Sequence, residues 1–484
     1  MSERSELNTM DNSTIAAIAT PGGRGGIGII KISGSKAVLI ASAIFSSAEQ
    51  QPTSNPENFP SLQSASRTGF DTHRLNYGHI IDPDSGRIVD EVLLSVMKAP
   101  RSYTREDVVE INAHGGRMAL HTILELVLRQ GARLADPGEF TQRAFLNGRI
   151  DLTQAEAVID LINARTDKSL RVASAQINGK LRRAVEQIRQ FQVELLIHTE
   201  AAIDFPDDVA DFADPERTAA EVEASVIKPL QTLIQHHVDG RVLREGLKVA
   251  VAGRPNVGKS SLLNCLVQKE RAIVTDVPGT TRDIIEEALN INGYPVILTD
   301  TAGLHDTDDL IETLGMEKTI ENVDGADLVL FMLEANCPVT AEDRSAFERI
   351  RSKPMIIVMN KIDLINGDDI CKLPAAWGEI DCVHTSALYD RGIDRLKDRI
   401  SKTAFGDKPI DLDAVIVPNM RQKLLIEDSL EAAEATCQGL KNGTPMELVA
   451  IHLQEAIDSL DQILGTNVKV DLLDQIFSRF CIGK

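Results

Sequence analysis

The chain has 484 residues and a mass of 52.8 kDa, which is too long for one hydrophobic core and predicts about three domains. Its residues are 43% hydrophobic and 25% charged, and 51 basic against 72 acidic side chains give a net charge of −21. This acidity argues against general polyanion binding, so any contact with nucleic acid must use a local basic patch.

The N-terminal residues and the cysteines bear on where the protein resides. The first twenty residues, MSERSELNTMDNSTIAAIAT, include acids and lack a long apolar core, which is typical of neither signal nor transit peptides. The sequence contains no run of about 18 uncharged apolar residues, so no transmembrane helix is predicted. The six cysteines are scattered without a CxxC pair, which favours a reducing compartment. We therefore expect a cytoplasmic protein that makes no membrane contact.

The N-terminal part predicts an α+β domain. Residues 13–45 have the pattern of a strand, a glycine-rich turn, a strand and a helix. Residues 50–67 are rich in Ser, Pro, Gln and Asn, which predicts an exposed or disordered loop, and no activity is assigned to it. Two strands are predicted at Ile88–Lys98 and Asp107–Ala113, joined by a turn that contains proline and tyrosine. A helix follows at about Gly116–Gln130.

The remainder predicts a helical domain interrupted by an α/β domain. Apolar residues recur at helical spacing from Leu152 to about Val242 and again from about Asn419 onward. Between them, alternation of strands and helices predicts a parallel sheet. Its strands are predicted at Leu247–Ala252, Val296–Thr299, Leu328–Leu333, Met355–Met359 and Cys382–Thr385. The predicted domains are 1–148 (α+β), 149–244 (helical), 245–404 (inserted α/β) and 405–484 (helical, second part).

A phosphate-binding loop follows the strand at 247–252. The sequence GRPNVGKS fits GxxxxGK[ST] between a strand and a helix. Its glycines let backbone N–H groups wrap a phosphate at a helix N-terminus. Lys259 is expected to reach the β- and γ-phosphates, and Ser260 to bind Mg²⁺. The predicted nucleotide-binding residues of this loop are Gly253, Asn256, Val257, Gly258, Lys259, Ser260 and Ser261.

Four more motifs follow in the order that a GTPase needs. GTTRD at 279–283 and DTAG at 300–303 offer groups for the Mg²⁺ shell and the γ-phosphate. In NKID at 360–363, the Asp363 carboxylate can accept two hydrogen bonds from guanine that adenine cannot donate. A backbone N–H of SAL at 386–388 can contact the guanine oxygen. The further residues predicted to bind GTP are Thr280, Thr281, Asp300, Thr301, Ala302, Gly303, Asn360, Lys361, Asp363, Ser386, Ala387 and Leu388.

These motifs do not reveal the residue that orients the attacking water. Many GTPases place a glutamine after DxxG, but this chain has Leu304 there. Positive charge near the leaving phosphate must come from Arg254, Arg282, a partner or a bound cation. The side-chain carbonyl of Asn256 suits a monovalent cation, and it is equally compatible with a hydrogen bond inside the loop.

Taken together, the residues resemble the MnmE (TrmE) family of tRNA-modification GTPases. The similarity covers nearly the whole chain. It rests on GRPNVGKSSLLN at 253–264, VTDVPGTTRD at 274–283, PGEFTQRAFLNGRIDLTQAEAV at 137–158, EDVVEINAHGG at 106–116 and FCIGK at 480–484. The resemblance implies a homodimer that joins a partner, MnmG, which carries FAD and uses NADH, in a heterotetramer. Together they would install an aminomethyl or carboxymethylaminomethyl group on carbon 5 of the wobble uridine of certain tRNAs.

The resemblance also implies further site residues. A one-carbon donor, 5,10-methylene- or 5-formyl-tetrahydrofolate, would bind at Lys31, Glu110, Arg149 and Lys484. Lys31 stands where the family commonly has arginine, which keeps the charge and loses the bidentate fork. Mg²⁺ would bind at Ser260 and Thr281. K⁺-dependent pairing of two GTPase domains would activate hydrolysis, with K⁺ at Asn256, Thr275, Val277 and Thr280; Thr275 would also contact GTP.

Three catalytic positions are implied by the same resemblance, and Asn256, through the K⁺ site, is the first of them. Glu312 would orient the attacking water, although by itself it has the pattern of a solvated helix glutamate. Cys481, flanked by Phe480 and Ile482, would lie near the reaction site, whereas a lone cysteine in an apolar setting is commonly a packing residue. Three other functions remain open: a ribosome-assembly GTPase, a folate-dependent transferase with a regulatory GTPase domain, and a nucleotide-sensing scaffold.

Residues 165–190 are the candidate contact surface for tRNA or for the partner. They contain two acidic residues, Asp167 and Glu186, and seven basic ones: Arg165, Lys168, Arg171, Lys180, Arg182, Arg183 and Arg189. The first three recur every three residues, which predicts one basic helix face. The plainer interpretation is a solvated face.

Overall fold

The computed structural model describes residues 13–23, 25–47, 69–204, 214–270, 287–298, 323, 325–365, 371–406, 416–468 and 470–484. These residues form two compact units. The first unit contains the described residues up to Ile159 and those from Asp458 to Lys484, and the second contains those from Asp160 to Ile457. The finer boundaries expected from the sequence, at residues 148, 244 and 404, remain predictions.

The strands form two sheets. Those of the first unit are β1 (Ile15–Ile18), β2 (Ile27–Ser33), β3 (Phe45–Ser47), β4 (Leu75–Ile81), β5 (Ile88–Met97), β6 (Val108–His114) and β7 (Arg133–Leu134). Those of the second are β8 (Leu247–Ala252), β9 (Glu287–Ile291), β10 (Tyr294–Leu298), β11 (Leu328–Glu334), β12 (Met355–Asn360) and β13 (Cys382–His384). The strands predicted near 88–98, 107–113, 247–252, 328–333 and 355–359 are confirmed to within one or two residues.

Helices connect these strands and follow the last of them. They are α1 (Ala37–Ile44), α2 (Arg117–Arg129), α3 (Glu139–Leu146), α4 (Leu152–Asn163), α5 (Asp167–Ile177), α6 (Lys180–Asp204), α7 (Pro215–Val222), α8 (Lys228–Glu245), α9 (Lys259–Glu270), α10 (Ala341–Ile350), α11 (Ile393–Phe405), α12 (Met420–Asn442), α13 (Met446–Leu464) and α14 (Val470–Phe477). In the part of the chain that the structure describes, no helix has the length and apolar character needed to cross a membrane.

The sheet of the first unit has the strand order β3-β4-β5-β6-β2-β1-β7 and is antiparallel except between β1 and β7. Because side chains alternate between the faces of a strand, Ile30 and Ile32 of β2 point into the core, together with Ile111 of β6. Lys31 then lies on the opposite face, where it is the register partner of Glu110. The register of β2 and β6 therefore brings two of the predicted folate residues side by side.

The C-terminal segment completes the first unit. Phe145 at the end of α3 and Leu152 at the start of α4 share one buried cluster with Leu473 and Phe477 of α14. Gly465 approaches the same cluster so closely that an added Cβ would lie 2.8 Å from the Phe145 ring. Residues distant in the sequence thus bury each other's apolar surface.

The sheet of the second unit has the order β13-β12-β11-β8-β10-β9, and all neighbouring pairs are parallel except β9 and β10. The first six residues of β11, LVLFML, are all buried, as expected for a central parallel strand covered on both faces. On one face, Leu262 and Leu266 of α9 pack against the sheet. On the other, Phe347 of α10 stacks on Trp377 with ring centroids 4.1 Å apart.

Helices α5 to α8 before this sheet and α12 after it also belong to the second unit. The predicted resumption of helix at Asn419 is confirmed by a capping box: its side chain accepts from the Gln422 N–H at 2.8 Å, and its N–H donates to the Gln422 side chain at 2.8 Å. Val172 of α5 and Leu243 of α8 share a small buried cluster with Val417.

Candidate functional site

The loop after β8 has a backbone that requires glycine. Gly253 has a φ of +149°, and an added Cβ would lie 2.5 Å from the Met332 carbonyl oxygen. Gly258 has a φ of +98°, and its added Cβ would lie 2.2 Å from Nδ2 of Asn360. Asn256 between them has a φ of +64° and is exposed. The loop therefore curls tightly at the carboxyl end of the sheet, where nucleotides bind in such folds.

The polar groups of this loop cluster at the start of α9. The Lys259 ammonium donates hydrogen bonds to the carbonyl oxygens of Gly253 and Arg254, both at 2.9 Å. Val257 is buried and anchors the loop, whereas Ser260 and Ser261 are exposed in the first turn of the helix. A cation and the amino end of a helix thus lie together, an arrangement that attracts phosphate.

Asn360 joins the phosphate loop to the motif expected to bind guanine. It is 2% exposed, and its Nδ2 donates to the Val257 carbonyl oxygen at 2.9 Å. Its Oδ1 accepts from the Ala387 N–H at 3.0 Å and from the Thr385 hydroxyl at 3.3 Å. One buried amide at the end of β12 therefore links the segments that follow β8 and β13. Thr385 was not singled out from the sequence, because it lies just outside the SAL motif.

The groups expected to recognise the base lie beside this amide. Oδ1 of Asp363 accepts a hydrogen bond from the Ser386 hydroxyl, which also accepts from the Tyr389 N–H at 3.3 Å. The Ala387 N–H donates to the Asn360 side chain, and this hydrogen bond fixes the loop that contains the SAL motif. Leu388 is 75% exposed at the rim. Thus the NKID and SAL segments meet at the ends of β12 and β13.

Arg254 has a structural partner. Its Nε donates to Oδ1 of Asp343 at 2.7 Å, and the Asp343 side chain is 1% exposed. Asp343 also closes the capping box of α10 with Thr340. From the sequence, Arg254 was one candidate source of positive charge at the leaving phosphate. In the structure, its guanidinium pairs with a buried carboxylate instead.

Several predicted residues lie outside the described residues. They are Thr275, Val277, Thr280, Thr281, Arg282, Asp300, Thr301, Ala302, Gly303, Leu304 and Glu312. Among the side chains that are described, no group of three or more His, Cys, Asp and Glu is arranged to hold a metal ion. The roles of Glu312 in orienting water, of Thr275, Val277 and Thr280 in binding K⁺, and of Thr281 as the second Mg²⁺ ligand therefore remain predictions.

The predicted folate residues are gathered in the first unit. The Lys31 ammonium lies 3.8 Å from the Glu110 carboxylate and 5.5 Å from the ring centroids of both Tyr103 and Phe140. Burial lowers the pKa of Lys31, Glu110 opposes this effect, and the charge of Lys484 lowers the pKa further. The lysine is thus held in an aromatic setting with one carboxylate and a second cation near it.

Arg149 shares the same aromatic residue. Its guanidinium lies 4.6 Å from the centroid of the Tyr103 ring, and its Nη1 donates to the Tyr103 carbonyl oxygen at 2.9 Å. The Tyr103 hydroxyl and the Thr141 hydroxyl are 2.9 Å apart, and burial raises the pKa of Tyr103. From the sequence, Tyr103 was placed only in a turn and Phe140 was assigned no role, because neither belongs to a local chemical motif.

The residues after α14 pack against α3 and β1. The Phe140 N–H donates to the main-chain oxygen of Lys484 at 3.2 Å, and the Gly138 N–H donates to the Cys481 carbonyl oxygen at 3.4 Å. A Cβ added to Gly483 would lie 2.6 Å from the Ile18 carbonyl oxygen. The Cys481 thiol is free and exposed. Lys31, Glu110, Arg149 and Lys484 are thus brought to one region, with Cys481 at its edge.

The predicted basic face at 165–171 is wrong in its geometry. Helix α5 begins at Asp167, so Arg165 lies outside the helix. The Lys168 ammonium lies 3.3 Å from the centroid of the Tyr294 ring and is committed to the β9–β10 hairpin. Arg171 pairs with Asp167 at 2.9 Å. The three cations therefore do not form one free helix face.

Comparison with known families gives two matches that together span most of the chain. The family model described as "GTP-binding protein TrmE N-terminus" matches residues 14–149. The model described as "MnmE helical domain" matches residues 152–481.

Individual proteins are similar over nearly the full length. The tRNA modification GTPase MnmE of Geobacillus thermodenitrificans is 45% identical over 97% of this chain and 99% of its own. That of Listeria welshimeri is 45% identical over 98% of this chain and 100% of its own. Among solved structures, Aquifex aeolicus Era bound to GDP.AlF4- is 30% identical and covers 38% of this chain and 66% of its own, with a TM-score of 0.27.

Proposed function

We propose a more specific function for this chain, which belongs to the MnmE family of tRNA modification GTPases and hydrolyses GTP in the course of tRNA modification. We propose a K⁺-activated GTPase that acts with an FAD-dependent, NADH-using partner of the MnmG type. The product is an aminomethyl or carboxymethylaminomethyl group at carbon 5 of the wobble uridine, with its one-carbon unit from tetrahydrofolate. We propose that it works in the cytoplasm as a homodimer within a heterotetramer.

The observation that carries the GTP assignment is the buried Asn360 amide. It connects the phosphate loop at Val257 to the SAL segment at Ala387, so phosphate and base would be held by one rigid junction. A site built around a carboxylate such as Asp363 discriminates strongly for guanine, because an unmatched base leaves polar groups unpaired. The wide family match also favours this assignment over a ribosome-assembly GTPase.

Mg²⁺ fits the described part of this site. The exposed Ser260 hydroxyl at the start of α9 offers an oxygen ligand of the kind Mg²⁺ prefers, and Thr281 is the proposed second ligand. When bound, the ion offsets the charge that develops on the phosphates. The chain's own part is to orient the phosphates with Lys259 and the loop N–H groups.

K⁺ is the proposed activator. Asn256 adopts the left-handed conformation on the exposed side of the phosphate loop, where its side-chain oxygen can serve a cation. Thr275, Val277 and Thr280 are the other proposed ligands. We expect faster GTP hydrolysis in K⁺ than in Na⁺ at equal ionic strength, and the same comparison on Asn256→Ala as control should show a smaller difference. Equal rates of the parent protein in both salts would refute K⁺ activation.

Glu312 is the proposed water-orienting residue. Glu312→Ala is expected to bind GTP as the parent does and to hydrolyse it slowly, since such a residue acts mainly in the transition state. Equilibrium binding and single-turnover hydrolysis measure the two properties separately. Weakened GTP binding with unchanged turnover would assign Glu312 a structural role.

The folate proposal rests on charge and aromatic surroundings. Lys31, Arg149 and Lys484 are cations for the anionic folate, and Glu110 can accept hydrogen bonds from its guanine-like ring. Cys481 is proposed as a residue near the reaction site. Mass analysis of wobble nucleosides in tRNA from cells lacking this protein tests the whole assignment: unmodified carbon 5 is expected, and full modification would contradict it.

A further inference from the structure

Lys361 has an unusual backbone in the middle of the 360–363 motif. Its φ of +64° lies in the left-handed region immediately after β12. Non-glycine residues adopt this conformation only where the surrounding structure imposes it. The side chain is a flexible four-carbon stem with an ammonium that has no fixed geometry of its own. Its position therefore depends on what it contacts.

Glu334 gives this lysine a fixed partner. The Lys361 ammonium lies 2.6 Å from Oε1 of Glu334, and the two side chains are 31% and 17% exposed. Glu334 ends β11 and is the register partner of Asn360 in β12. The next residue, Ala335, donates its N–H to the Asn360 carbonyl oxygen at 2.8 Å. Glu334 thus lies at the end of β11 beside Asn360, whose amide joins the phosphate loop to the SAL segment.

The second oxygen of Glu334 is also engaged. Its Oε2 accepts a hydrogen bond from the Cys337 thiol at 3.3 Å. The hydrogen bond from Lys361 lowers the pKa of Glu334 against the effect of burial, and Cys337 and the charge of Arg254 act in the same direction as Lys361. The carboxylate is therefore ionised at neutral pH and held at both oxygens.

We propose that Glu334 is a positioning residue of the guanine-nucleotide site, which holds Lys361 in the conformation that contacts the nucleotide and thereby slows its release. The proposal rests on the nucleotide site proposed above. Its physical reason is preorganisation: a side chain that is already fixed loses little conformational freedom when the ligand binds. Release is the step affected, because most differences in affinity within one site lie in the dissociation rate.

Glu334→Gln tests this proposal, since it keeps the size of the side chain and removes its charge. We expect dissociation of a fluorescent GDP analogue, measured by stopped flow, to become about threefold to tenfold faster. The association rate should change little. The matched control is Glu348→Gln, which removes the charge of an exposed carboxylate on α10, 3.0 Å from the guanidinium of Arg351, and should leave both rates unchanged.

A double-mutant cycle separates positioning from a general structural role. In a Lys361→Met background, adding Glu334→Gln should change the dissociation rate by less than about twofold, because the group it positions is gone. The same fold-change in both backgrounds, or unchanged release in Glu334→Gln alone, would overturn the proposal. Glu334→Asp keeps the charge and should give an intermediate rate; it replaces Glu334→Gln in the cycle if that variant does not fold.

Asp363→Asn distinguishes failure of this inference from failure of the nucleotide site. If Asp363→Asn keeps its preference for guanine, the nucleotide site itself is misassigned. If its preference moves to xanthine while Glu334→Gln releases nucleotide at the parent rate, the site is correct and only the role of Glu334 is refuted.

Discussion

The candidate nucleotide site of the second unit and the candidate folate site of the first unit are assembled differently. The former is built from short contiguous segments that lie at the ends of parallel strands in one sheet, with Asn360 as the link. The latter collects single side chains from β2, β6 and the turns beside Tyr103 and Arg149, and main chain from the C-terminal segment. A contiguous site is visible as motifs, whereas a dispersed site becomes visible only when the chain is folded.

The largest expected effect comes from a change of one side-chain atom in the candidate nucleotide site. Asp363→Asn replaces an acceptor by a donor at the guanine edge, so we expect GTP affinity to fall by at least about a hundredfold, with binding moved toward xanthosine triphosphate. Competition binding with the two nucleotides measures the exchange. Unchanged guanine preference would show that Asp363 does not read the base.

The next effect concerns the docking of the C-terminal segment in the first unit. Gly138 has a φ of +70°, and a Cβ there would lie 2.7 Å from the Phe477 carbonyl oxygen. Gly138→Ala should lower the free energy of unfolding by about 2–4 kcal/mol through backbone strain and this collision. Gly148→Ala is the control, because its φ is +69° and its nearest contact is a flexible arginine at 3.5 Å. Equal losses in calorimetry would mean that the segment is not tightly docked.

A smaller effect sharpens the folate assignment. Lys31→Ala should weaken binding of 5-formyl-tetrahydrofolate about tenfold in isothermal calorimetry, because a buried cation beside the ligand is lost. Burial lowers the pKa of Lys31, so affinity of the parent protein should fall as pH rises, earlier than for an ordinary lysine. Lys31→Arg stays charged and should bind independently of pH over the same range. A parent affinity that does not respond to pH would remove Lys31 from the site.

The smallest effect concerns the acid stability of the first unit. Although burial opposes it, hydrogen bonds from Arg133, the Asp136 N–H and Arg143 hold the pKa of Glu139 below its usual 4.5. A carboxyl with a lowered folded pKa stabilises the fold above its unfolded pKa and loses that contribution as pH falls through the folded value. Glu139→Gln should therefore be less stable than the parent at neutral pH, and the difference should shrink below about pH 4.5. A constant difference across pH, measured by urea unfolding, would contradict this.

The sequence predicted the parts of the fold whose residue pattern is strong. Strand β8 was predicted at Leu247–Ala252, its observed limits, because it is continuously apolar and ends at the phosphate loop. Strand β4 was missed, since Leu75 and Tyr77 are exposed and give it no clear buried face. Helix α3 was missed because Glu139 and Arg143 are buried and mutually paired, so its buried face does not look apolar in sequence.

The candidate sites follow the same rule. The phosphate loop and the 360–363 motif could be predicted in place because neighbouring residues carry the chemistry. The folate residues came from the family resemblance alone, and Tyr103, which contacts both Lys31 and Arg149, has no signal in its local sequence. Glu334 likewise belongs to an apolar strand pattern and acquires meaning only from the register that places it beside Asn360.

The packing of α14 against α3 and α4 has a consequence for the timing of synthesis. A ribosome makes residues 139–159 long before 470–480, and the whole second unit emerges in between. Phe145 and Leu152 therefore leave the exit tunnel without the side chains that will bury them. Helix α14 leaves the exit tunnel only once the chain is released, so the first unit reaches its finished state last. We expect released chains truncated before residue 470 to be cleaved by protease near residue 146, where the full-length chain resists.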